Sequence, residues 1–271
     1  MHVADGLLPA PLCLGGYALG GLTLWWTLKQ SQVQTQIHTK NHARTEPRSP
    51  NAPAVIPHSN PRQVTPRQVT QQNIARAALL TAAFFVASSI RITIPPTSVH
   101  FILVGLMGAI LGPLAFPAVV VGLTLQAVLV GHGGLTVLGV NALILGWPAL
   151  VASVLFRTCQ RGLGRWVGRS RSNLAGGFLA GCSGTALAVA LFFGLVLLGM
   201  TPDLNAEVER AATVAIVIAH GPLVLIEGFF TAAVIGFCQR VYPTLLPVAP
   251  LPPRRSPQGP RPDPSINPSI N

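Results

Sequence analysis

Long apolar runs separated by short polar stretches limit this chain to one kind of fold. A stretch of about 20 predominantly apolar residues crosses a hydrocarbon core as a helix. Seven runs fit or approach that length, at roughly 7–28, 73–93, 101–113, 114–131, 136–156, 174–200 and 211–238. The third and fourth are short and meet at Gly112-Pro113, so they read either as two helices or as one broken helix. Half of the 271 residues are apolar and only 9% are charged, which a soluble domain of this size does not show. The fold class expected is an all-α membrane protein, a bundle of about seven transmembrane helices. The first run is not a cleaved signal peptide, because it lacks a basic start and its polar prefix contains Asp5.

Basic residues orient the bundle. With the N-terminus outside, the inner segments are 29–76, 157–172 and the stretch from 239. They hold all of the 18 Lys and Arg except Arg91 and Arg210. The reverse orientation violates the positive-inside rule almost everywhere. The formal charge of +11 therefore reports topology. It is not a nucleic-acid footprint, since no folded basic domain presents these arginines to a duplex.

Four regions follow: an N-terminal segment with the first span at 1–29, a disordered cytoplasmic loop at 30–72, a helical membrane core at 73–243 and a disordered cytoplasmic tail at 244–271. The loop is rich in Gln, Pro, Thr and Asn and repeats Pro-Arg-Gln-Val-Thr at 61–65 and 66–70; the tail is Pro-rich. Neither buries enough apolar surface to offset the entropy of ordering it. His38, His42 and His58 read as solvated residues of that loop. Cys13, Cys159, Cys182 and Cys238 are far apart and form no Cys-x-x-Cys, so no disulfide framework is implied.

The chain opens Met1-His2-Val3-Ala4-Asp5-Gly6. A histidine at position 2 makes the terminus a chelator. The Met1 amine, the deprotonated backbone nitrogen of His2 and its imidazole close small rings around one ion, in the planar arrangement that copper(II) and nickel(II) favour. The plainer reading is an exposed histidine near a flexible end. His100 ends the short outer segment Ile94-Pro95-Pro96-Thr97-Ser98-Val99-His100 on the same side, where it is the natural fourth nitrogen. A third marker is Gly131-His132-Gly133-Gly134, leading through Thr136 to Asn141. Irregular backbone at membrane depth survives only where it is buried or lines a cavity, so this turn reads as the wall of a site, or more simply as a glycine turn with an exposed His132.

These three signatures together resemble the CbiM/NikM family, the substrate-binding S components of energy-coupling-factor (ECF) transporters for cobalt and nickel. The likeness runs from residue 1 to about 240, excluding 30–72 and the tail. It implies a seven-helix bundle that holds one Co(II) or Ni(II) ion, as transported substrate, through Met1, His2 and His100. It also implies a membrane T component, two cytoplasmic ATPases and often a small accessory membrane subunit, in a bacterial cytoplasmic membrane. Two departures stand out: the long 30–72 insert, and Val3-Ala4 in place of the commoner Ile-Pro, which is expected to loosen the terminus a little. With the plane filled by nitrogens, Asp5, His132, Thr136 and Asn141 are expected to orient the ligands from behind. The nitrogen set suits cobalt and nickel equally, and excludes magnesium and calcium, which take oxygen ligands.

The chain has no Gly-x-x-x-x-Gly-Lys-Ser/Thr phosphate loop, so a partner must hydrolyse ATP. Enzyme readings are weak. No His-Glu-x-x-His is present, and Gly181-Cys182-Ser183-Gly184 with His220 fits an intramembrane serine protease only loosely. Two rivals to the ATP-driven importer are a haem-binding electron carrier using His100, His132 and His220, and a self-contained secondary transporter. Glu227 and His220, seven residues apart in the last span, read as a relay or as a packed pair. Gly105, Gly108 and Gly112, and Gly177, Gly181 and Gly184, read as faces for close helix packing.

Overall fold

The computed structural model describes residues 3, 5–6, 8–44, 66–90, 92–94, 97–199, 206–242 and 245–246. In chain order the elements are α1 (Ala10–Arg44), α2 (Pro66–Ser89), β1 (Ile92–Ile94), β2 (Thr97–Val99), α3 (Val104–Leu111), α4 (Ala115–Leu125), α5 (Leu138–Gly162), α6 (Arg169–Gly199) and α7 (Ala206–Val241). The all-helical expectation has one exception, an antiparallel hairpin pairing Ile92 with Val99, Thr93 with Ser98 and Ile94 with Thr97.

Helix extends into the stretch expected to be irregular. α1 continues to Arg44 and α2 begins at Pro66. Gln, Lys and Arg are fair helix formers and no proline occurs between 12 and 46, so nothing stops α1 earlier. Pro66 occupies the first position of α2, where its missing N–H is no loss. Residues 45–65, including His58 and the first copy of the repeat, lie outside the described residues. The tail also departs from expectation at its start: Leu246 is buried beside Ile235 and Cys238 of α7.

Small residues fix the packing. Gly105 of α3 abuts Ala180 and Gly181 of α6, Gly108 lies on Ala149 of α5, and Gly181 meets the backbone of Glu227 and Gly228 in α7. Gly105, Gly108, Gly177, Gly181 and Gly184 pack against neighbouring helices, as read, whereas Gly112 forms a turn and is not part of a helix face. Neighbouring contacts give each helix its direction. Gly108 faces Ala149 while Gly112 faces Ser153 and Arg157, so α3 runs parallel to α5. In α2 and α4, Thr81 bonds to the Ala118 carbonyl, Phe84 packs on Gly122 and Ser88 meets Gln126, so these two are also parallel. Contacts of Gly177 with Ala232 and Gly181 with Gly228 make α6 and α7 antiparallel.

Phe116 of α4 packs back on Gly146 of α5, although Gly112 before it lies level with Ser153, so the runs 101–113 and 114–131 form a helical hairpin. Gly112 turns it with a φ of 63°, in the left-handed region that glycine reaches freely. The Arg157 guanidinium fills the space where a side chain at 112 would stand. All eight residues of α3 are buried, which makes it the centre of the bundle.

Among the described residues, four helices are long and apolar enough to cross a membrane: Val104–Val130, Leu138–Arg165, Arg169–Leu198 and Val217–Val241. The first of these contains the hairpin turn. α1 and α2 fall short because Gly, Thr and Tyr in one, and Gln and Arg in the other, dilute their apolar residues. The outer surface is apolar too. Leu79, Val154, Ile218, Phe229 and Phe237 are all exposed, far more than a water-soluble surface carries.

Candidate metal site at the histidine end of the bundle

The turn between α4 and α5 gathers the chemistry. α4 ends in a wide π-helical turn, Gln126–Val130, whose first carbonyl accepts the His132 N–H at 3.1 Å. This brings His132 against His100, with ring centroids 6.4 Å apart and planes nearly perpendicular. His100 is 5% exposed. Its Nδ1 lies 3.2 Å from the Phe101 carbonyl, which can only accept, so Nδ1 carries the proton and Nε2 the lone pair. Burial, reinforced by the nearby imidazoles of His220 and His132, pushes the His100 imidazole down to about 3. At neutral pH it is therefore in the uncharged form that binds metals.

The same turn holds the N-terminal segment. Asn141, in the first turn of α5 and 2% exposed, accepts the Val3 N–H at 2.9 Å and donates from Nδ2 to the Val3 carbonyl at 3.1 Å. The side-chain amide thus pairs with the backbone of Val3 as one strand pairs with another. Val3 itself is fully buried. Thr136 donates its hydroxyl to the Asp5 carboxylate. Farther along, the Tyr17 hydroxyl donates to the Leu135 carbonyl, tying α1 to the turn.

The structure thus brings His100, His132, Thr136, Asn141 and Asp5 to one end of the bundle, through contacts with one segment, 131–141. Met1 and His2 lie outside the described residues. Among the described residues no three His, Cys, Asp or Glu side chains converge as a metal-holding group. Ser183, the serine of the weak protease reading, directs its hydroxyl to the Ala180 carbonyl at 3.3 Å within its own helix.

Sequence reasoning missed the part played by Gly134. A Cβ at that position would overlap the Asp5 carboxylate. Gly134→Ala is expected to push Asp5 off Thr136 and release the N-terminal segment. Aminopeptidase digestion followed by mass spectrometry should then remove residues from this variant faster than from the parent protein; equal rates contradict it.

Four helices are long and apolar enough to cross a membrane, and two histidines meet at one end of the bundle, an arrangement compatible with a membrane transport protein. Residues 58–245 match the family model described as the cobalt uptake substrate-specific transmembrane region. The chain belongs to this family, CbiM, whose members are transporters and not enzymes. It is 34% identical over 169 residues to a Haemophilus influenzae protein that carries a provisional metal-transport name, a match covering 61% of this chain and 76% of that one. It is 29% identical over 258 residues to the cobalt transport protein CbiM of Sorangium cellulosum, covering 91% and 94% of the two chains. A crystal structure of a truncated transition metal transporter shares the fold with a TM-score of 0.55, at 17% identity over 89% of this chain and 97% of that one.

Proposed function

We propose that this protein captures one Co(II) or Ni(II) ion for an ATP-driven importer of the ECF type. The ion is bound by the Met1 amine, the backbone nitrogen and imidazole of His2, and Nε2 of His100. One observation carries this reading: segment 131–141 touches both the N-terminal residues and His100. Asn141 grips Val3, Thr136 and Gly134 accommodate Asp5, and His132 meets the His100 ring. A chelating terminus is thereby delivered toward a neutral, buried imidazole. Asp5, His132, Thr136 and Asn141 orient it without ligating.

In this reading the chain is a bundle of about seven helices in the bacterial cytoplasmic membrane, α3 and α4 entering it as a tight hairpin, with the N-terminus outside. The 30–72 segment, including the ends of α1 and α2, and the 244–271 tail are cytoplasmic. The arginines near Gly112 and at the end of α5 then face the cytoplasm, as the positive-inside rule requires. ATP hydrolysis falls to two cytoplasmic ATPases coupled through a membrane T component, with a small accessory membrane subunit where the system has one.

Uptake of radioactive cobalt and nickel tests this directly, in cells lacking other importers and carrying the complete transporter. Uptake should require the ATPase partners. Asn141→Ala, which leaves two buried backbone groups of Val3 without partners, should weaken ion binding about 10–100-fold, as loss of an outer partner does. At limiting ion it should depress uptake accordingly. Undiminished uptake at equal membrane abundance, or uptake without the ATPases, overturns the proposal.

A further inference from the structure

We propose that Glu227 is the residue that positions His100, by holding from α7 the backbone turn that follows it. The inference rests on His100 being an ion ligand, as proposed above. Glu227 is fully buried in the last helix. Its carboxylate accepts three hydrogen bonds: from the Ile102 N–H, from the Leu103 N–H at 3.1 Å and from the Thr185 hydroxyl at 2.6 Å. All three partners donate, which suits a group that only accepts.

The backbone that Glu227 holds is unusual. Leu103 has a φ of 53°, the one positive value outside glycine among the described residues. A leucine in the left-handed region is unfavourable and persists only where its surroundings enforce it. Leu103 is also the N-cap of α3, and its own side chain makes no capping hydrogen bond. Glu227 instead takes, from another helix, the two N–H groups just ahead of α3, those of Ile102 and of Leu103 itself. Thr185 fixes the carboxylate in turn.

His100 therefore sits between two anchors. Behind it, β2 is registered on β1 by the Ile92–Val99 pair and lies along α7. Ahead of it, Glu227 holds residues 102 and 103. Releasing the second anchor lets Leu103 relax to negative φ, which swings the two preceding residues. The Nε2 lone pair then no longer points where it did, while the helices keep their glycine-lined contacts. This explains why a carboxylate stands in an otherwise apolar stretch of α7, and it favours the packed over the relay reading of Glu227.

A double-mutant cycle separates positioning of His100 from general stabilisation of the fold. Nickel is titrated calorimetrically into the detergent-solubilised full chain with an unmodified terminus, as parent, Glu227→Gln, His100→Ala and the double variant. Metal-free melting curves are recorded alongside. Glutamine keeps the size but turns an amide NH2 toward a backbone N–H. Glu227→Gln is expected to weaken nickel binding about 10–100-fold in the parent. In the His100→Ala background it should change affinity by less than about twofold, because no ligand remains to be positioned. An equal loss in both backgrounds, or none in either, overturns the inference while leaving the site reading intact. If His100→Ala itself leaves affinity unchanged, the site reading falls and this inference with it. Should Glu227→Gln fail to accumulate, Thr185→Val, which removes one hydroxyl donor, carries the same cycle. A smaller loss confined to the His100 background supports the inference, and equal losses or none overturn it.

Discussion

Any residue added ahead of Met1 is expected to abolish high-affinity Co(II) and Ni(II) binding while the bundle stays folded. An extension converts the primary amine into an amide, which removes the nitrogen that opens the chelate. A residue inserted between Met1 and His2 has a related effect, because it moves the imidazole out of the ring that includes the amine. The loss should be about a thousandfold or more, about 4 kcal/mol, since several nitrogens of the plane depend on this geometry. Nickel titration of protein bearing an uncleaved N-terminal tag, beside protein with the native start, measures it. The helices carry the fold independently of these residues, so metal-free melting should be unchanged. Equal affinity in the tagged protein sinks the proposed site.

His100→Ala comes next in expected size. With the fourth position left to water, the loss should exceed the about 10–100-fold typical of removing an outer partner. His132→Ala should fall within that range, because its ring touches His100 and belongs to the supporting turn. Replacing His38, His42 and His58 should be silent. The order of the first two is the sensitive point. If His132→Ala is the more damaging, the glycine turn and not the segment after β2 supplies the fourth ligand.

What the sequence made legible were the features written in side chains. The apolar runs, the glycine faces and the buried Asn141 were visible, because each is costly in a membrane unless packed or paired; Asp5 and Thr136 stood out as polar residues of the two marked segments. Backbone partners leave no such trace. Glu227 stands out as a lone carboxylate in α7, but nothing in the residue types of Ile102 and Leu103 announces that their N–H groups need an acceptor. Pairing of β1 with β2 was equally hidden, since three-residue strands are too short to show a period. Gly112-Pro113 fitted a kink as well as a reversal; the deciding contact, of Phe116 with Gly146, joins residues far apart in the chain. Gly134 was seen as turn chemistry, whereas its service to Asp5 depends on a residue 129 positions earlier.

The way Asn141 meets Val3 bears on which substitutions the opening motif can absorb over time. Both hydrogen bonds go to the peptide groups of Val3 and neither to its side chain, so the grip is indifferent to the residue's identity. Only the size of the recess limits it, because Val3 is completely enclosed. Val3 in place of the commoner isoleucine is then a change in filling and not in attachment, and it need not loosen the terminus. Lineages are free to exchange similar aliphatic residues at this position, while the asparagine 138 residues away has no such latitude: of the common side chains, only a short carboxamide offers a donor and an acceptor side by side at that reach.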